Sequence, residues 1–222
     1  MHYNNEHRSL TAIVVAINFI SALTHGLYTF GKLPVYMDAF GNLLLPTHYI
    51  MWAMTTLQMI WVLSHISQRP NEAVLRVLLT DIGIFVLGFV AVVPLDIPAL
   101  VRSMSGVLSF VCFLGTMNGT IGFYREASAM YRQRRFGVRA AAVVERTLRS
   151  LRFQVFFMLA VWGLFPATWL LSNAGLFSWT TQDLLYCALN YASKVLFANS
   201  TLAANVLQLE AMVSLDTVKV GT

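Results

Sequence analysis

LLYCALNYASKVLF, residues 184–197, decides how the rest of the chain is read, because it sets one lysine, Lys194, inside an otherwise apolar run. A charged side chain at the centre of a bilayer costs roughly 2.5–3.5 kcal/mol on insertion scales. From the start of its run Lys194 lies about ten residues deep, roughly 15 Å by helical rise. That is too deep for its stem to carry the ammonium to the interface. One turn earlier stands Asn190, an amide and not an acid. Such a lysine is either paired with a carboxylate for structure or held as a nucleophilic amine. Schiff-base formation with an aldehyde is the natural use of the second kind.

Working outward, the whole chain has the composition that this run implies. It is 57% hydrophobic and 11% charged, where soluble domains carry about 25% charged residues. Long apolar stretches alternate with short polar ones, and six spans are expected at roughly 9–31, 46–67, 73–94, 99–124, 148–172 and 183–212. The expected fold is therefore all-α: one polytopic transmembrane bundle over residues 1–222. The connectors are turn-like: GKLPVYMDAFGNLLLP (31–46), HISQRPNEAVLR (65–76), PLDIP (94–98) and LSNAGLFSWTTQD (171–183). The first apolar run has no small-residue cleavage site after it and reads as a retained helix. Cys112 and Cys187 both sit in apolar stretches and suggest packing, not a disulfide or a zinc site.

The net charge of +5 does not call for nucleic acid. Arg125, Arg132, Arg134, Arg135, Arg139, Arg146, Arg149 and Arg152 share one inter-helix segment, and basic loops beside spans stay cytoplasmic. That rule puts 125–152, 68–72 and both termini inside. Arg69, Arg76 and Lys219 agree with it, whereas Lys32 and Arg102 fall on the outer side. The 125–152 region has no proline and one glycine, Gly137, so it should extend the fourth and fifth spans as helices. It reads as a basic turn that fixes topology or as a docking surface for a cytoplasmic signalling partner.

Two further patterns accompany the lysine. The fifth span places Trp162, Phe165 and Trp169 at i, i+3 and i+7, one aromatic face interrupted by Pro166. The second offers Trp52, Thr55, Thr56 and Met59 at similar spacing, and Asp81 lies deep in the third. Aromatic stripes are often plain core. With a buried lysine on another helix, they would also fit an elongated apolar ligand with a carbonyl end.

These residues together resemble the microbial (type 1) rhodopsins, from about residue 9 to 213. LLYCALNYASKVLF is similar to that family's lysine-bearing helix. VWGLFPATWL (161–170) resembles its W-x-x-[YF]-P-x-x-W helix, and HYIMWAMTTL (48–57) its R-Y-x-D-W-x-x-T-T-P segment. Asp81, in LLTDIGIF (78–85), falls at the spacing of the acid that pairs with the second threonine. The resemblance implies retinal held as a Schiff base on Lys194, with Trp52, Trp162, Phe165 and Trp169 around the polyene. It implies a hydrogen bond between Thr56 and Asp81, with Thr55 beside it, and Gly88, Ser109 and Phe113 flanking the ring.

The chain also departs from that pattern. Met51 stands where the family has its main counterion acid, Asn190 where it has the second, and His48 where it has an arginine. Val62 occupies the usual cytoplasmic proton-donor position, and Leu57 replaces the proline after the threonines. A proton pump needs groups whose proton affinities change in sequence, and these positions supply none. A protonated imine without an anion is costly in low dielectric, so near-ultraviolet absorption is expected. The lysine helix is the sixth span here and the family's seventh, so the family's first helix is expected to be missing. The polar first span (Asn18, Ser21, Thr24, His25) then suggests an oligomer or partner subunit on that flank, besides the lipid bilayer. The expected function is a retinal photoreceptor, sensory and not pumping, and not an enzyme, signalling through 125–152. The alternatives are a non-photochemical scaffold subunit and a light-gated ion channel.

Overall fold

The computed structural model describes residues 2–67, 71–133 and 138–203. Within them the chain forms six long helices: α1 (His2–Thr29), α2 (Pro46–Ile66), α3 (Asn71–Val92), α4 (Ala99–Gln133), α5 (Val138–Asn173) and α6 (Trp179–Tyr191). A π-helical turn, Ala192–Leu196, follows α6, and helix resumes to residue 203. The protein is an integral, multi-pass membrane protein. Four helices are long and apolar enough to cross a membrane by themselves: α1, α3, α4 and α5. α2 falls short in hydropathy because it carries polar side chains that the bundle encloses, among them His48, Thr55, Thr56 and Ser64, and α6, with 13 residues before the π-helical turn, falls short in length.

α3 and α4 pack on each other most extensively, and small residues let them do so. A Cβ at Gly83 would stand 2.8 Å from Cys112 Sγ, and one at Gly119 would run into Val77. α4 and α5 have 35 and 36 residues, each about 50 Å by helical rise against a hydrocarbon layer of about 30 Å. They therefore overshoot the bilayer, as the proline-free 125–152 region leads one to expect. Arg125, Arg132, Arg146, Arg149 and Arg152 are exposed on that extension. Arg134 and Arg135 lie outside the described residues, as do Arg69, Lys219 and the end of the last expected span.

Two elements differ from the sequence expectation. The outer connector after α1 is not plain loop: Tyr36–Met37 (β1) pairs antiparallel with Leu43–Leu44 (β2). Asp38 closes the turn by accepting from the backbone N–H groups of Phe40 and Asn42, both at 2.8 Å, and Gly41 supplies its positive φ of 85°. Asn42 then ties the hairpin to the end of α5, donating to Asn173 Oδ1 at 2.6 Å and accepting from Ser172 at 3.0 Å. Second, α6 starts at Trp179, inside the expected 171–183 connector, because Ser178 caps it by accepting from Thr181 N at 3.2 Å. Arg102, in the first turn of α4, donates to the carbonyls of Val93 and Leu95, both at 3.0 Å, just past the end of α3.

Candidate functional site

Lys194 is 2% exposed and sits in the π-helical turn. Its Nζ donates to Asn190 Oδ1 at 3.0 Å and lies 3.4 Å from Ser193 Oγ, so both of these partners are neutral. Trp52 Nε1 donates to the same Asn190 oxygen at 2.8 Å. One amide oxygen thus joins the lysine of the last helix to the tryptophan of α2, while Asn190 Nδ2 is buried without a partner. A buried donor left unpaired costs about 1–3 kcal/mol, which fits a site that bonds a further group in use.

Trp52 is the hub of the aromatic wall. Its ring meets Phe165 at 5.4 Å, Tyr49 at 5.5 Å, Tyr186 at 5.6 Å and Phe85 at 6.4 Å between centroids. Phe165 and Tyr186 stack at 5.6 Å with planes 25° apart. Met51 is buried beside Trp52 on α2, and its carbonyl accepts from Thr55, itself buried. Thr56 donates to Asp81 Oδ2 at 2.6 Å, joining α2 to α3. Gly88 faces Ser109: a Cβ there would stand 3.2 Å from Ser109 Oγ and 3.9 Å from Tyr49. Ser109 itself donates to the Ile84 carbonyl at 2.8 Å.

The remaining expected residues are more dispersed. Trp162 is buried in the main apolar core, where Phe113 also packs, and Phe113 stacks on Phe110. Trp169 lies further out, edge-on to Phe40 at 5.6 Å, and lines a small outer crevice with His48, Tyr49, Trp52 and Tyr186.

The sequence reading missed several neighbours. Tyr186 has the clearest signal: Gln182, Tyr186, Asn190 and Lys194 recur at i+4 and so share one helical face. Outward of Lys194 the structure also gathers His25, Tyr28, His48 and Asp183. The His25 and His48 rings are 5.1 Å apart, and His48 lies 5.7 Å from Trp52. Tyr28 donates to Asp183 at 2.8 Å. These pairings join residues up to 155 positions apart, so no local pattern announces them.

Chemically, a primary amine with two neutral partners is suited to attack a carbonyl carbon. The rings of Trp52, Phe165 and Tyr186 offer flat apolar surface for a conjugated tail. The donor set fits a covalently held polyene aldehyde.

Comparison with known proteins follows the same line. The profile of the family described as bacteriorhodopsin-like protein matches residues 1–208. The fold is similar to that of thermophilic rhodopsin from Rubrobacter xylanophilus (TM-score 0.74, 19% identity, covering 90% of this chain and 83% of that one). It is also similar to the transmembrane domain and linker of the Salpingoeca rosetta rhodopsin phosphodiesterase (0.76, 17%, 96% and 73%). A third similar structure is the proton-pumping rhodopsin AR2 from Acetabularia acetabulum (0.74, 16%, 92% and 84%). A search of curated proteins returns no match.

Proposed function

The chain belongs to the bacteriorhodopsin-like protein family, and from that premise we propose that it is a retinal-binding membrane photoreceptor that senses light and does not pump ions. The observation that carries this reading is the environment of Lys194: a fully enclosed amine whose partners are Asn190 and Ser193, with Met51 beside Trp52. Retinal, when bound there, supplies the light absorption and the isomerisation. The chain's own residues do the rest. Lys194 Nζ is the attachment atom. Trp52, Phe165 and Tyr186 hold the polyene flat, with Trp162 and Trp169 further along α5. Thr56 and Asp81 lock α2 to α3 with Thr55 beside them, and Gly88, Ser109 and Phe113 shape the ring end. Asn190 orients both Nζ and the Trp52 indole through one oxygen.

No carboxylate among these partners offers an anion to a proton on Nζ, so the nitrogen rests neutral at neutral pH and the pigment absorbs in the near ultraviolet. Val62, 0% exposed, gives no group to return a proton from the inner side. The exposed arginines of the α4 and α5 extensions support a reading in which 125–152 and both termini are cytoplasmic. That extension is the surface through which movement of α5 and α6 reaches a partner. Exposed apolar side chains of α1, including Val15 and Phe19, face the bilayer.

The test is an absorption spectrum of the purified protein after retinal addition, titrated with acid and repeated with hydroxylamine. A near-ultraviolet band that moves to the visible as pH falls is expected. A visible band that persists as pH rises would sink the neutral-nitrogen reading. Sustained light-driven currents in proteoliposomes would overturn sensing in favour of transport.

A further inference from the structure

The exposed stripe of α5 changes character within one turn. Followed back from Asn173, where α5 ends, it carries Leu164, Phe156 and Phe153 and then Arg152, Arg149 and Arg146. Arg149, Arg152, Phe153 and Phe156 stand at i, i+3, i+4 and i+7 and so share one face. All four are exposed. By helical rise Arg152 lies roughly 31 Å from Asn173, against a hydrocarbon layer of about 30 Å. The phenylalanines therefore face acyl chains, and the arginines stand at the level of the headgroups. α4 meets the stripe at that same level. The Tyr124 ring is edge-on to Phe156 at 6.3 Å, and Arg125 beside it is exposed. The Arg152 guanidinium lies over the Phe156 ring, with its carbon 5.9 Å from the ring centre. Phe153 stacks on Phe157 at 5.6 Å. One aromatic seam thus carries arginines from two helices.

The side-chain chemistry selects the partner. Residues 125–152 hold eight arginines and no lysine. A guanidinium presents a planar fork that meets a phosphate with two parallel bonds, whereas an ammonium acts as a point charge. Stacking on Phe156 holds the Arg152 fork in place before any ligand arrives. The acids described at this end, Glu126 and Glu145, do not balance the exposed Arg125, Arg132, Arg146, Arg149 and Arg152. We propose that Tyr124, Arg125, Arg149, Arg152 and Phe156 form a binding site for the phosphate of an anionic phospholipid in the leaflet at this end of the bundle. Its acyl chains lie along Phe153 and Phe156. A soluble acidic peptide or free phosphate would meet the arginines but leave those exposed rings without a use. The bound lipid braces α4 against α5. It also divides the extension: the arginines nearest the bilayer hold lipid, and Arg132, two turns beyond Arg125, stays open to a water-soluble partner. The inference goes beyond the function proposed above and needs neither retinal nor light.

The test is lipid retention by the full chain in neutral detergent, offered an equimolar mixture of phosphatidylglycerol and phosphatidylcholine and read by native mass spectrometry. The parent chain should retain phosphatidylglycerol in preference. Each arginine beside an anionic headgroup contributes about fivefold, so Arg152→Gln should weaken the preference by that factor and Arg149→Gln/Arg152→Gln by more. Arg132→Gln removes the same charge about 10 Å further along α4 by helical rise. It should leave the preference within about twofold, since salt screens a charge over that distance. Arg152→Lys keeps the charge without the fork and should recover only part of the loss. Phe156→Ala keeps every charge and should still weaken retention. If the double variant does not fold, the single variants carry the test. Equal losses from Arg152→Gln and Arg132→Gln would overturn the proposal, because they would mean diffuse attraction to a basic end and no site. A parent chain without preference would overturn it too. So would displacement of the lipid by a soluble glutamate-rich peptide, which would assign the seam to a protein partner, or by inorganic phosphate, which would assign it to the free ion. None of these readouts uses a chromophore, so failure of the retinal reading leaves them untouched.

Discussion

The two halves of the bundle are built of different material. Inward of Lys194, the core is hydrocarbon: Met59, Val62, Leu63, Phe123, Leu151, Met158 and Phe197 are all at most 1% exposed and form one cluster across α2, α4, α5 and the last helix. The polar side chains enclosed there, such as Thr116, Thr120, Gln154 and Thr201, are neutral. Outward, α2 and α6 carry His48 and Asp183, facing His25 and Tyr28 of α1. The two halves therefore offer a proton very different routes. From outside it meets imidazoles and a carboxylate within a few ångströms of one another. From inside it meets an apolar plug. A pump needs groups that exchange protons on both sides of the linkage, whereas a sensor needs only one charge whose position changes.

The largest way to break this comparison is to remove its centre. Lys194→Ala takes away the attachment atom and should abolish the retinal band entirely, while the helices still assemble. Retention of a covalent, hydroxylamine-sensitive pigment in that variant would show that another group holds the chromophore. Next in size is to give Lys194 the anion that its hydrogen-bond partners do not supply. Met51→Asp puts a carboxylate on α2 beside Trp52, at a position 1% exposed. An opposite charge nearby favours the protonated nitrogen by about 1–3 pH units, so the visible band should appear at correspondingly higher pH. A Met51→Asp pigment with the parent's titration curve would mean that this position does not face Nζ.

The inner half can be tested through packing alone. Gly119→Leu adds a side chain where even a Cβ collides with Val77, between α3 and α4. Overpacking of this kind costs about 1–3 kcal/mol, and the midpoint of thermal unfolding in detergent should fall accordingly. The spectrum should shift little, because Gly119 meets Val77, a residue of the apolar core and not one of those proposed to surround retinal. A large spectral change without loss of stability would show that the halves are not separable.

How far the sequence announced all this depends on range. The membrane spans, the lysine helix and the W-x-x-F-P-x-x-W face are local patterns, legible because period and composition act over one or two turns. The Thr56–Asp81 bond was legible through resemblance, since a pairing across 25 residues has no period of its own. The hairpin at Tyr36–Met37 and Leu43–Leu44 was hidden behind two-residue strands, too short for alternation to register. The π-helical turn around Lys194 has no compositional mark. The histidine pair needed α1 and α2 in register before it existed at all, and His25 read alone was only a polar residue in a polar first span.

Arg102 gives the smallest effect and closes a discrepancy in topology. Its positive charge lies at the end of the bundle opposite the arginine-rich α4 and α5 extensions, against the rule that gathers arginines on one side. The structure gives that charge a local use: the two terminal guanidinium nitrogens donate to carbonyls just beyond the C-terminal end of α3, Val93 and Leu95. A cation there offsets the negative end of the helix and bonds carbonyls that have no helical partner, worth about 0.3–1 kcal/mol. Arg102→Ala should lower the unfolding midpoint slightly, and Arg102→Lys should recover only part of it, because an ammonium cannot span two carbonyls as the planar fork does. Cysteine-accessibility mapping of the same variants should leave the orientation unchanged, since the exposed arginines of the α4 and α5 extensions outnumber this one. If Arg102→Ala instead improved the yield of correctly oriented protein without loss of stability, the capping role would be wrong and the residue would be a plain exception to the orientation rule.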